Sequence, residues 1–180
     1  MSHFRLVVAA AAMLVAASAA AEPVATEDII RIDTENGAVA GVSVGMSEAD
    51  VLASGYPMRT WTRWMEGDAF TVHSLNLADD VEIDCLINSR DATVYRISSK
   101  SSRLRDQHGL GVGSLLTDLQ TAYPDGEFIH GWADGAYAVY VTGTRLYFDF
   151  DTADLAESCF DASEACPIPA GLAVASVRLN

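Results

Sequence analysis

Gly41-Val42-Ser43-Val44-Gly45 and Gly109-Leu110-Gly111-Val112-Gly113 are one phrase written twice, at an offset of 109 − 41 = 68 residues. Asp50-Val51 matches Asp118-Leu119 at that offset, and Tyr56-Pro57 matches Tyr123-Pro124 after a one-residue slip. Upstream, Ile30-Arg31-Ile32 precedes the first phrase as Tyr95-Arg96-Ile97 precedes the second, and Ser176-Val177-Arg178-Leu179 is a third echo. Self-similarity at a fixed period marks a duplicated unit.

Each copy has the same local physics. The glycines permit the tight or positive-φ backbone that carries an extended segment round into a helix. Ser47 with Asp50 three residues on has the form of a capping box, Val51 and Leu52 give an apolar stripe, and Gly55 and Pro57 end the helix. In the second copy Ser114 is expected to cap, Leu115, Leu116 and Leu119 to face inward, and Pro124 to stop the helix. After each helix the apolar period drops to two. Strands are expected around Phe70, Val72 and Leu75–Leu77, over Val81–Asn88 and over Val94–Ser99. In the second copy they are expected over Tyr137–Val141, Leu146–Phe150 and Leu172–Leu179, with short polar turns between neighbours. The predicted class is α+β: two tandem copies of a short helix plus an antiparallel β-meander, the helices packed on one face of the sheet.

The first 21 residues have the three-part form of a secretory signal: Arg5, an apolar run from Leu6 to Ala17, then small residues with Ala19 and Ala21 at the cleavage positions. Cleavage is expected before Glu22, giving a periplasmic or secreted protein. No cysteine lies near that point, so no lipid attachment is expected. Residues 22–180 are expected to form a single domain of two repeats, about 29–100 and 101–180.

With 11 Lys and Arg against 25 Asp and Glu the formal charge is −14, and loss of Arg5 takes it to 10 − 25 = −15. Nucleic acid and anionic membranes are poor partners for such a surface. A basic protein or a cation would be drawn to it. Cys159 and Cys166 flank a short polar segment followed by Pro167-Ile168-Pro169 and read as a disulfide-stapled surface loop. Cys85 alternates with Val81, Ile83 and Ile87 and reads as a buried free thiol, its pairing with either other cysteine staying open.

A glycine-bounded extended segment, a short helix ending near Tyr-Pro and a meander, all duplicated, resembles the tandem-repeat architecture of the beta-lactamase inhibitor proteins. The stretch Gly41-Val42-Ser43-Val44-Gly45-Met46-Ser47 is similar to the start of the single unit in the small outer-membrane-assembly lipoproteins of the SmpA/OmlA (BamE) group. The resemblance implies a periplasmic fold used for protein contact and assigns no functional residue.

The mature chain offers His73, His108 and His130 as candidate bases, none in a nucleophile motif, and there is no Gly-x-Ser-x-Gly elbow. The acidic run Asp149, Asp151, Asp154 and Glu157 lacks the spacing of a calcium loop. The glycine phrase lacks the lysine of a phosphate loop. No metal, cofactor or enzymatic activity is expected. Tyr56, Trp61 and Trp64 after the first helix, with Trp132, Tyr137 and Tyr140 after the second, are the candidate binding face, since Trp and Tyr bury much area while keeping a polar end. These readings predict a non-enzymatic binding module acting in protein–protein interaction, as an inhibitor or in envelope assembly. The alternative is a small-ligand or envelope-component binder with an aromatic pocket. A hydrolase would require His73, His108 or His130 to meet a carboxylate or serine in a cleft.

Overall fold

A computed structural model of the chain describes residues 29–65, 67–133, 135–161 and 166–180; the signal segment and its cleavage point lie outside them. The elements run β1 Ile30–Asp33, β2 Ala38–Val39, β3 Val42–Ser43, α1 Glu48–Leu52, β4 Met58–Met65, β5 Asp68–Ala78, β6 Val81–Asn88 and β7 Thr93–Ser99. There follow β8 Leu104–Arg105, α2 Leu116–Ala122, β9 Glu127–Trp132, β10 Ala136–Val141, β11 Leu146–Phe150 and β12 Val174–Leu179.

Alternation decides the central strands. In β6, Val81, Ile83 and Cys85 are buried while Glu82 and Asp84 stand half-exposed on the other side. The pattern breaks at Leu86 and Ile87, both buried, because the register with β7 shifts there: Leu86 faces Arg96, Ile87 faces Val94, and Tyr95 is the extra, exposed residue. Consecutive hairpins build one sheet of eight strands in the order β4-β5-β6-β7-β12-β11-β10-β9, antiparallel throughout. β7 and β12 meet at its centre through Ile97↔Leu179, Ser98↔Arg178 and Ser99↔Val177. A second, four-stranded sheet, β3-β2-β1-β8, joins Ile30 to Leu104 through its parallel β1–β8 pair.

The α+β expectation is corrected here. The chain is mostly β, and α1 and α2 are short helices of five and seven residues, burying Val51 and Leu116 with Leu119. They do not cover the sheet. β1, β2 and β3 join β8, for which no strand was expected, in the second sheet, whose Ile32, Val39, Val42 and Leu104 complete one buried cluster with Ile83, Ile97, Phe148, Val177 and Leu179 of the large sheet. Short runs of apolar residues after glycine were compatible with strand or helix, and pairing between distant segments decided the matter.

The glycine phrases do hold equivalent places. Gly45 and Gly113 both take φ of 86°, a conformation that side chains rarely adopt. The Gly45 N–H donates to Val94 O at 2.8 Å, that of Gly113 to Val174 O at 2.9 Å. Glu48 N–H donates to Ala92 O and Leu116 N–H to Leu172 O in the same relation. Each helix start is thus clamped to the beginning of a central strand, β7 or β12. The tyrosine of each Tyr-Pro pair then reaches back, Tyr56 Oη donating to Ala40 O at 3.1 Å and Tyr123 Oη to the Asp106 carboxylate.

Capping differs between the helices. Ser47 is the N-cap of α1, its Oγ accepting from Asp50 N–H at 3.2 Å as expected. The second N-cap is Leu115, not Ser114; Asp118 supplies the only side-chain help, accepting from Leu115 N–H at 3.2 Å, while Ser114 Oγ accepts from Gly111 N–H. Leu115 is accordingly exposed.

Candidate binding face

The side of the large sheet away from the core is open among the described elements. Alternation in register puts Trp61, Val72, Leu86 and Arg96 in one row across it, and Ser74, Asp84, Ser98, Arg178 and Tyr147 in the next. Val72, Ser74 and Leu86 are buried although they lie outside the main core, so the face is folded over on itself. Its curvature follows from one hollow of about 590 Å³ lined both by Arg63 of β4 and by Asp149 of β11. Those strands are five steps apart in the order, about 24 Å on a flat sheet. The edge hairpin β4–β5 must therefore curl over β6, β7 and β12.

Charge in this hollow is sorted. Arg63, Arg96 and Arg178 gather around Asp149, while Asp80, Glu82 and Asp84 line the opposite part with Lys100 near them. Arg178 Nη2 is 2.9 Å from Asp149 Oδ1, and its guanidinium carbon stands 5.1 Å from the Tyr147 ring centroid. Arg178 Nε is buried with no partner. Such an orphan donor costs about 1–3 kcal/mol. Arg96 Nε donates to Asn180 Oδ1 at 2.9 Å. Burial, then the charge of Arg178, holds the Arg96 guanidinium below its ordinary value. Burial also pushes the Asp149 carboxyl up, outweighing the pull of Arg178, Ser176, Arg96 and Arg63. At the other end Trp61 Nε1 donates to Ser74 Oγ at 2.9 Å, and Ser74 Oγ donates to Asp84 Oδ1. Arg96 also lines a second hollow of about 570 Å³, together with Met65, Phe70 and Tyr95 among others.

Of the six aromatic residues picked out from the sequence, the structure brings only Trp61 and Tyr137 to this side of the sheet by strand alternation. Tyr137 lies over Gly131, where a Cβ would meet its hydroxyl at 3.1 Å. Trp64 and Trp132 are highly exposed but sit on the two opposite edge strands, so they form no common patch. Tyr140 is a core residue whose hydroxyl donates to Tyr123 O at 2.6 Å, and Tyr56 packs against the core. The arginines went unread as a site. Their signal is the apolar-Arg-apolar triplet in Tyr95-Arg96-Ile97 and Val177-Arg178-Leu179, which in a strand puts arginine on the side opposite the core.

Two of the histidines join separate elements. His73 is 3% exposed, its Nε2 2.8 Å from Glu48 Oε1 and its Nδ1 2.9 Å from Thr60 Oγ1. A carboxylate can only accept, so Nε2–H donates and, in the neutral ring, the Thr60 hydroxyl donates to Nδ1. This has the hydroxyl–imidazole–carboxylate order of a nucleophile with its base. Both hollows, however, open on the other side of the sheet, and the two contacts tie α1 to β4 and β5. His130 Nδ1–H donates to Cys159 O at 2.7 Å. His108 stacks edge-on against Tyr123.

Cys159 and Cys166 are disulfide-bonded, and Cys85 is free and buried. The acidic run is divided: Asp149 faces the hollow, and Asp151 caps a 3-10 turn by accepting from Ala153 N–H at 3.0 Å. Among the described residues no three His, Cys, Asp or Glu side chains gather as metal ligands, and no helix is long and apolar enough to cross a membrane.

No family model and no curated protein matches the chain. Among solved structures it is similar to that of the uncharacterized protein yfeY from Escherichia coli, with a TM-score of 0.49 at 16% identity over 84% of this chain and 99% of that one.

Proposed function

We propose that the chain is an exported, non-enzymatic binding module that engages a partner protein through the concave side of its eight-stranded sheet. One observation carries this: a sheet with one side in the core leaves the other open and curved, with Phe70 and three arginines lining its hollows and Trp61 and Tyr147 on the same side by register. Aromatic and arginine side chains are the groups that most often dominate interface energy. Export is supported by the form of residues 1–21 and by a disulfide suited to an oxidising compartment. The second hollow, with Phe70 and Tyr95, favours a small-ligand reading as the alternative, its volume lying in the range of ligand pockets.

Affinity capture of residues 22–180 from an envelope extract, compared between the wild type, Tyr147→Glu and Leu52→Glu, tests the proposal. Leu52 is exposed on α1, away from the concave side. A protein retained by wild type and Leu52→Glu but lost from Tyr147→Glu is the expected result. Equal loss from both variants, or no specific protein at all, counts against it.

A further inference from the structure

We infer that the larger hollow seats a dipolar peptide segment of the partner, holding an acidic side chain between Arg63, Arg96 and Arg178 and a basic one beside Asp84. The inference rests on the docking reading above and names the chemistry of its occupant.

The lining charges argue for a ligand bearing both signs. Four cations, Arg63, Arg96, Lys100 and Arg178, face four anions, Asp80, Glu82, Asp84 and Asp149, so the hollow has no use for a ligand of one sign only. Two of the anions are already paired, Glu82 with Arg59 and Asp149 with Arg178. Three guanidiniums stand around Asp149 and only Arg178 is ion-paired with it, an excess of positive charge in a chain of net −14. Arg63 is exposed and makes no ion pair among the described residues. Arginine forks suit carboxylates in two-point contact. At the other end Asp84 uses one oxygen to hold Ser74.

The two poles are set at a peptide's pitch. Asp84, Ser98 and Arg178 stand opposite one another on three neighbouring strands, so the acid and the base are two strand spacings apart, about 10 Å. In an extended chain residues i and i+2 share one face about 7 Å apart, and the lengths of a basic and an acidic side chain make up the rest. Ser98, half-exposed between them, offers a hydroxyl to the intervening backbone.

The test is an NMR titration of the mature chain with N-acetyl-Lys-Gly-Glu amide and with its Gln counterpart, reading the Nε–Hε resonances of Arg96 and Arg178 and the indole N–H of Trp61. The inference predicts saturable movement of the arginine signals with the Glu peptide, and affinity at least tenfold weaker for the Gln peptide. Arg63→Gln, an exposed site whose change spares the fold, is expected to weaken the Glu peptide severalfold. Movement of Trp61 alone, or equal response to both peptides, overturns the inference and leaves the docking surface standing. So does equal binding of sodium phosphate at matched ionic strength. Should no resonance of the concave side respond to the peptide, and capture also fail, both readings fall.

Discussion

At the residue scale the fold depends on a few polar groups that burial has made indispensable. Asp106 is fully buried and its carboxylate is held by His108 N–H at 2.9 Å, Leu110 N–H at 2.8 Å and the Tyr123 hydroxyl. Replacing Tyr123 by Phe removes a donor from a buried charge, so a loss of about 2 kcal/mol is expected in urea unfolding. An unchanged midpoint would mean water replaces the hydroxyl. Cys85 makes a second prediction. Burial, with a smaller contribution from Asp84, pushes its thiol up from 9.0 to about 12. The folded chain therefore keeps its proton where the unfolded chain loses it. This contribution is complete below pH 9 and declines as pH rises from 9.0 towards about 12. Wild type should lose stability relative to Cys85→Ala over that window, and iodoacetamide at pH 8 should modify Cys85 only after unfolding.

At the scale of elements, the strands differ in what holds them. β6 and β11 bury alternate side chains in the core and were legible in the sequence to their end residues, Val81–Asn88 and Leu146–Phe150. β4 was not, because as an edge strand it has no fully buried residue, and Met58-Arg59-Thr60-Trp61-Thr62-Arg63-Trp64-Met65 shows no apolar alternation. β9, the opposite edge, was missed for the same reason. The Ser47 cap and the turn glycines were readable since they are local, whereas the second N-cap fell on Leu115 and not on Ser114. The second sheet was hidden, as its two-residue strands are defined only by their partners. Since β4 is held by backbone pairing and by the Thr60–His73–Glu48 chain, His73→Leu should speed amide exchange in β4 and α1 more than in β11. Uniform acceleration would instead mark a global loss of stability. Removing the Cys159–Cys166 bond, which closes a loop across a separation of 7, should cost about 2.4 kcal/mol by loss of chain constraint. Calorimetry of the double Ser variant measures it.

For the whole molecule, two hairpin arrays meet in the three-residue pairing of β7 with β12, and the candidate site lies over that seam. Its residues come from β4, β6, β7, β11 and β12, and no spacing in the chain announces them together. Only the alternating arginines hinted at a charged side. The sequence favoured aromatic residues as the contact surface, and folding scattered them because the two copies present their aromatics at opposite edges. Leu179→Ala, opposite Ile97 at the seam, should cost about 2–5 kcal/mol through the cavity it leaves. A smaller loss would mean that the seam can collapse around it.

The most direct test of the concave docking surface is site-specific photo-crosslinking in the living source cell. A photoreactive phenylalanine derivative would be placed singly at Trp61, at Tyr147 and, on the opposite side, at Leu52. A discrete adduct of one partner from positions 61 and 147, with none from 52, is the result predicted. Adducts from 52 alone, or none from either concave position, would contradict it.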